Sequence, residues 1–426
     1  MLINFQVENF RSITKDISLN MIPARGNSKM YNIIKIDKNP NIKKLLKSIV
    51  IFGSNGSGKT NVIRALFTMK AIIIHSKLMN SGDTFNDYDP FVLDDSHSKK
   101  PTSFTADFIQ DNVQYRYSFS YDYIKIVSEE LSYYSGKKEI FIFKRIFNNI
   151  EPFTDHEELM QLFKSTGENV LFLSKANNEY KKFGPVFEWF NNHLNIIGPT
   201  STLSDDVTIQ FMNKSSDNKQ RIINLMNFAD FDIYAISGEN KKVNDPEVIN
   251  KFSQIIKLIN EEKVNSGSKE NIEIVIPDIK SIRKKIDGTE VIQDFSKFES
   301  DGTKQFFKMA GLWLDTLLNK SQTLVFDEFD IRLHPELQRY LIQVFHDPEI
   351  NITNSQLIFT THNTRLLSKA FFRREQINFV EKDPQTKSTT LYSLYDYEPR
   401  QDKSIEKGYY LGRYGGLPDI KYGIIK

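Results

Sequence analysis

The chain has 426 residues and no cysteine, and its 56 Lys and Arg stand against 54 Asp and Glu, for a net charge of +2. The lack of cysteine excludes disulfides, thiolate zinc sites and thiol nucleophiles and fits a reducing cytoplasm, while the balanced charge gives no global excess for nucleic acid. No run of about 18 apolar residues occurs, so no membrane span is expected, and the length predicts two to three domains or one large domain with insertions.

Met1-Leu2-Ile3-Asn4-Phe5 reads as a strand and lacks a charged n-region, so no signal peptide is expected. Residues 1–20 read as an antiparallel pair around Val7–Ser12, and 22–47, with Pro23, Gly26 and Pro40, as a polar loop. The basic runs Lys43–Lys47 and Lys280–Lys285 read as solvated faces, with a local basic patch for nucleic acid as the alternative. Ile49–Phe52 is a short apolar run that predicts a buried strand. Gly53, Ser54, Asn55, Gly56, Ser57, Gly58, Lys59 and Thr60 then fill every position of a phosphate loop. Glycines let backbone N–H groups wrap phosphates without Cβ clashes. Lys59 reaches the β- and γ-phosphates, and the Thr60 hydroxyl suits a Mg²⁺ position. A helix from Asn61 to about Met79 aims its N-terminal dipole at the same anion, and Asn80–Asp89 ends it.

Residues 101–150 alternate aromatic and polar, with Asp111-Asn112 as a turn, and predict antiparallel strands. A half-buried sheet face explains this aromatic stripe better than a base-stacking platform. Residues 155–195 read as helical, with Trp189 and Phe190 on an apolar face, and 205–263 as helix-rich, including Val248–Ile256. A break at Val264–Ser268 precedes Ile272–Ile276 and a hairpin around Asp287-Gly288. The chain thus divides into 1–199, an insert at 200–267, and 268–426, the outer parts being two halves of one ATPase fold.

The second half carries the rest of the chemistry. Thr323–Phe326 is a buried strand that ends in Asp327 and Glu328. Asp327 suits the Mg²⁺ shell, and Glu328 the polarisation of a water for attack on a γ-phosphate. One helix later, Gln356–Thr361 is a further apolar strand, and His362 at its end can reach the γ-phosphate or the attacking water. Ser300 and Gly302 cap the start of a helix from Lys304 to about Leu318, which makes another anion site. The fold expected is α/β, a mixed sheet with the phosphate-loop, Asp-Glu and His strands central and parallel, plus an antiparallel β layer and a helical insert. The remaining histidines form no metal-ligand spacing.

The order of phosphate loop, Ser-x-Gly cap, Asp-Glu strand and His strand resembles the ATP-binding-cassette ATPases, and within them the SMC-like soluble branch. Asn9-Phe10-Arg11-Ser12, Gly53–Asn61, Glu299–Thr303, Asp327–Asp330 with Leu333-His334-Pro335, Thr360–Asn363 and Tyr410–Gly416 look like the bacterial ATPases of abortive-infection and other anti-phage systems, the AbiLi-like group. The resemblance implies an ATPase using ATP and Mg²⁺, with two heads sandwiching two ATP molecules. Ser300 and Gly302 of one head would then cap the γ-phosphate held by Lys59 of the other. It also implies that Arg11, otherwise a surface strand residue, touches the phosphates, that Asn61 belongs to the nucleotide site, and that Asp330 lies at the dimer seam.

The chain departs from the pattern in lacking a glutamine-loop residue. Leu173-Ser174-Lys175 occupies the topological place, and Gln110 and Gln114 fall in the β region. It also lacks a long coiled coil and a Cys-x-x-Cys hook. The stretch after His362 is too short for a nuclease domain, and Asp396, Glu398 and Asp402 are interrupted by Pro399. An effector is therefore expected to be a separate, nuclease-like protein. Gly412–Gly416 reads equally as a neighbour of the nucleotide or partner and as an ordinary loop. The alternative is a DNA-maintenance ATPase of the recombination-mediator kind, which predicts a basic groove. A transporter subunit fits poorly, given the missing glutamine and the large insert.

Overall fold

A computed structural model describes residues 1–417 apart from 27, 199–202, 230, 243–274 and 398–403. The chain divides into two units, one made of Met1–Ser201 with Thr316–Lys426 and the other of Thr202–Asp315.

In the first unit, Ser48–Gly53 is a fully buried strand in the middle of a six-stranded sheet. It runs parallel to Gln356–Thr360 on one side and Ile377–Lys382 on the other. Thr323–Phe326 lies beyond Gln356–Thr360, also parallel, and Leu194–Ile197 beyond that. Thr389–Ser393 closes the other edge, antiparallel to Ile377–Lys382. The expected parallel centre is therefore present. These strands read as continuous apolar runs because a parallel sheet is covered on both faces.

A seven-stranded antiparallel sheet is the second layer. It consists of four long strands, Thr102–Gln110, Val113–Tyr121, Ile126–Ser135 and Lys138–Ile146, with Asn149–Pro152 at one edge. Leu2–Glu8 and Ile17–Asn20 lie at the other. Asp111 and Asn112 both adopt positive φ, as a two-residue hairpin turn requires. The helix Lys59–His75 and the π-helical turn Trp189–His193 fill the core, where the Trp189 ring stacks on Phe108 at 4.2 Å. The aromatic stripe is thus core, as expected.

Four expectations are corrected. The supposed loop 22–47 contains a short hairpin, Ile33–Lys35 with Lys44–Leu46, because Leu45 and Leu46 are fully buried. Lys47 does not face solvent; it is buried and donates to the His346 carbonyl at 2.7 Å. The helical reading of 155–195 runs into the edge strand Leu194–Ile197, a segment too short to show a period. The described part of 205–263 carries the expected helices, Asp205–Asn213 and Ser216–Phe228, but then a strand, Ala235–Lys242.

The second unit contains those elements together with the strands Val275–Lys284 and Glu290–Asp294, which form the expected hairpin. Helix Asp301–Leu318 begins in it. The unit therefore extends past residue 267. Lys280 is paired with Asp278 at 3.0 Å and Asp294 at 3.2 Å rather than left as a bare solvated charge. The expected helix Val248–Ile256, the break at Val264–Ser268 and the acidic residues Glu398 and Asp402 lie outside the described residues.

Candidate functional site

The phosphate loop leaves the C-terminal end of Ser48–Gly53 and enters the helix Lys59–His75. At Gly53 an added Cβ would sit 2.5 Å from the Val380 carbonyl oxygen. Gly58 has φ +110°, and an added Cβ there would run into the Thr389 side chain. Both positions therefore require glycine. Lys59 is buried, and its ammonium donates to the carbonyls of Gly53 at 2.8 Å and Ser54 at 3.1 Å, folding the side chain back over the loop. Burial holds Lys59 below the ordinary lysine range, while the negative charges of Asp327, Glu328 and Asp330 pull it upward. Ser57 Oγ is buried with no hydrogen-bond partner among the described residues, and Asn55 and Gly56 are exposed at the tip.

Asp327 and Glu328 follow the strand Thr323–Phe326. One hydroxyl organises both. Thr360, at the end of the neighbouring parallel strand, donates to Asp327 Oδ1 at 2.6 Å and accepts the Glu328 N–H at 2.7 Å. Glu328 has φ +57°, a conformation rare outside glycine, so its side chain leaves the sheet at a fixed angle. Asp327 is buried, and its Oδ2 has no partner among the described residues. An unpaired buried carboxylate oxygen is costly unless a cation meets it. No group of three or more His, Cys, Asp or Glu able to hold a metal occurs among the described residues. One carboxylate plus the Thr60 hydroxyl suits Mg²⁺, which takes few protein ligands and shares the rest with phosphates and water.

His362 is exposed, and its backbone N–H donates to Asp330 Oδ2 at 3.0 Å, which ties the His loop to the Asp-Glu loop. Arg11 has φ +53° and is held by Asp89, whose Oδ2 accepts from Arg11 Nε at 2.9 Å. Arg11 Nη1 reaches Asn61 Oδ1 at 3.4 Å. Lys59, Asp327, Glu328, His362, Arg11 and Asn61 thus gather at the C-terminal ends of the parallel strands, where ligands bind in sheets of this kind.

Ser300 and Gly302 belong to the second unit. Ser300 is exposed, and its Oγ accepts the Thr303 N–H at 3.1 Å, so it caps the helix Asp301–Leu318. The preceding Glu299 is buried and accepts from Ser281 Oγ at 2.8 Å and Arg283 Nη2 at 2.8 Å, which fixes the cap on the hairpin.

Sequence reasoning placed Thr360 in the His-strand motif but gave it no role toward Asp327 and Glu328, and it missed Asp89 and Thr389, each distant in sequence from the motif that it touches. The Leu173-Ser174-Lys175 stretch lies in a buried helix, Phe172–Ala176, with Ser174 Oγ donating to the Ile73 carbonyl. Gly412–Gly416 packs beside the phosphate strand. An added Cβ on Gly416 would lie 3.6 Å from Gly53 Cα, and Tyr409 OH donates to the Gly416 carbonyl at 2.9 Å.

A phosphate loop on a buried parallel strand, with an Asp-Glu strand and a His strand beside it, defines a P-loop nucleoside triphosphatase of the ATPase type. The family described as "AAA domain, putative AbiEii toxin, Type IV TA system" matches residues 48–368, and the chain belongs to it. The chain is also similar to the SMC head domain from Thermotoga maritima, with 14% identity and a TM-score of 0.39 over 92% of this chain and 98% of that one. A second similar structure is the Smc head domain with an extended coiled coil bound to the C-terminal domain of ScpA from Pyrococcus furiosus, at 14% identity and a TM-score of 0.37 over 97% of this chain and 98% of that one. No curated protein matches the sequence. No helix among the described residues is long and apolar enough to cross a membrane.

Proposed function

We propose that the chain binds ATP with Mg²⁺ and hydrolyses it, and that two copies close around two ATP molecules to control a separate effector. The setting is a toxin–antitoxin or abortive-infection system. The observation that carries this reading is geometric: Thr360, paired with Ile51 of the phosphate strand, holds Asp327 and Glu328 next to the strand whose loop buries Lys59. The family description, which joins an AAA domain to a toxin of a type IV system, supports the setting.

Lys59 and the loop N–H groups bind the β- and γ-phosphates. Thr60 and Asp327 would hold Mg²⁺, which offsets phosphate charge. Glu328 accepts a proton from the attacking water. The water oxygen bonds to the γ-phosphorus, and the bond from that phosphorus to the bridging oxygen breaks, leaving ADP and phosphate. His362 orients the water or the γ-phosphate. Arg11, held by Asp89, adds positive charge beside Asn61. Ser300 and Gly302 of the second copy cap the γ-phosphate, their helix N-terminus supplying the positive dipole end.

The test combines ATP turnover with light scattering of the eluted protein. Glu328→Gln is expected to lower turnover about 100-fold or more and to retain ATP in a species of twice 49.6 kDa. Ser300→Arg is expected to bind ATP and stay at the single mass, and Lys59→Ala to lose binding. A Glu328→Gln variant that turns over ATP like the wild type removes Glu328 from the role of base. An effector is expected among the genomic neighbours, captured with the protein in an ATP-dependent way. DNA-stimulated turnover with steep salt dependence would move the reading to DNA maintenance.

A further inference from the structure

Four hydrogen bonds of one polarity run from Arg11 into the phosphate loop. Arg11 Nη1 donates to Asn61 Oδ1 at 3.4 Å, and Asn61 Nδ2 donates to Ser12 Oγ at 2.7 Å. Ser12 Oγ and Thr389 Oγ1 are 2.7 Å apart, and Thr389 Oγ1 donates to the Ser57 carbonyl at 2.9 Å. The direction is forced at both ends. A carbonyl can only accept, so the single Thr389 hydroxyl hydrogen goes to Ser57, and Ser12 must supply the hydrogen between the two hydroxyls. Ser12 is then left to accept from the Asn61 amide. Asn61 can present its nitrogen there because its oxygen faces the Arg11 guanidinium.

Thr389 is built for this place. It is 2% exposed, and its N–H donates to the Ser12 carbonyl at 2.7 Å, so its backbone and its side chain are both pinned. Its side chain fills the space against Gly58 that a Cβ would occupy. A trans peptide carries its C=O and N–H on opposite sides. Holding the Ser57 carbonyl toward Thr389 therefore turns the Gly58 N–H to the other side, and phosphate loops bind anions through such N–H groups.

We infer that Thr389 is a positioning residue for the Ser57–Gly58 peptide of the phosphate loop, and that Ser12 and Asn61 link this peptide to Arg11. The inference rests on the nucleotide reading above and adds to it a determinant of triphosphate affinity on a strand more than 300 residues away in sequence from the loop.

The test uses the full chain with Mg²⁺, a fluorescent ATP analogue for Kd, and steady-state turnover. Thr389→Val keeps the branched shape and removes the hydroxyl; Thr389→Ser keeps the hydroxyl. Thr389→Val is expected to raise Kd and KM about tenfold with kcat changed less than about twofold, and Thr389→Ser to return both to within about twofold of wild type. Wild-type affinity in Thr389→Val, equal weakness in Thr389→Ser, or a fall in kcat with KM unchanged would each overturn the inference. Should Thr389→Val not fold, Ser12→Ala removes the donor one step upstream. It is expected to raise Kd about threefold, and an unchanged Kd there overturns the inference as well. A wild-type chain that does not bind the analogue overturns the nucleotide reading itself, and this inference with it.

Discussion

His346 sits at the opposite end of the phosphate strand from the candidate site. Its Nε2 is 2.7 Å from Ser48 Oγ, and its ring is buried. Burial, and then the positive charge of Lys47, lower its pKa to about 3 from the ordinary 6.5. Between those values the unfolded chain binds the proton and the folded chain does not. The stability is therefore fully present above about pH 6.5 and is lost progressively as pH falls toward 3. Urea denaturation at a series of pH values is expected to show the wild type losing about 2 kcal/mol between pH 6.5 and 5 through this residue. His346→Gln, which does not titrate, is expected to lose correspondingly less over the same range. Thr360 illustrates a second kind of economy at this scale. A single hydroxyl satisfies both the Asp327 carboxylate and the Glu328 N–H, so the candidate metal ligand and the candidate base are oriented together.

The helix Phe172–Ala176 is held by Glu129, on the strand Ile126–Ser135. The Glu129 carboxylate accepts from Tyr117 OH at 2.9 Å, from the N–H groups of Phe172 at 2.8 Å and Leu173 at 2.9 Å, and from Arg145 Nη1 at 3.4 Å. Both charged side chains are fully buried. Removing one partner strands the other, so Glu129→Leu is expected to cost about 3 to 5 kcal/mol in chemical denaturation. Nothing in the sequence marks this anchor, because Glu129 lies in a strand among other polar and acidic residues, Ser128, Glu130 and Ser132, which are half-buried or buried. The phosphate loop, by contrast, was legible because its glycines, lysine and threonine are contiguous and the strand before it is apolar throughout. The same holds for the Asp-Glu and His strands. The hairpin Ile33–Lys35 with Lys44–Leu46 escaped reading because three-residue strands carry too little pattern. The edge strand Leu194–Ile197 did so because four residues directly follow a helical turn. Asp89, Thr389 and the role of Ser12 escaped because they act across sequence separations that only the folded sheet closes.

At the scale of the molecule, the phosphate strand owes both of its neighbours to the far part of the chain. Ser48–Gly53 pairs with Gln356–Thr360 and Ile377–Lys382, and with nothing near it in sequence. Such remote pairing makes for slow, late assembly. The second unit, Thr202–Asp315, lies in the sequence between the phosphate loop and those partners. During synthesis at roughly 5 to 20 residues per second, the loop emerges early and waits many seconds for the strands that give it shape. A chain stopped at residue 350 is expected to contain the whole phosphate-loop motif and to show no measurable retention of a fluorescent ATP analogue, whereas the full chain retains it. Nascent and broken copies would then be silent by construction. A copy broken anywhere before Gln356–Thr360 and Ile377–Lys382 would carry the motif and yet hold no fuel, so the strand pairing itself screens incomplete copies from ATP.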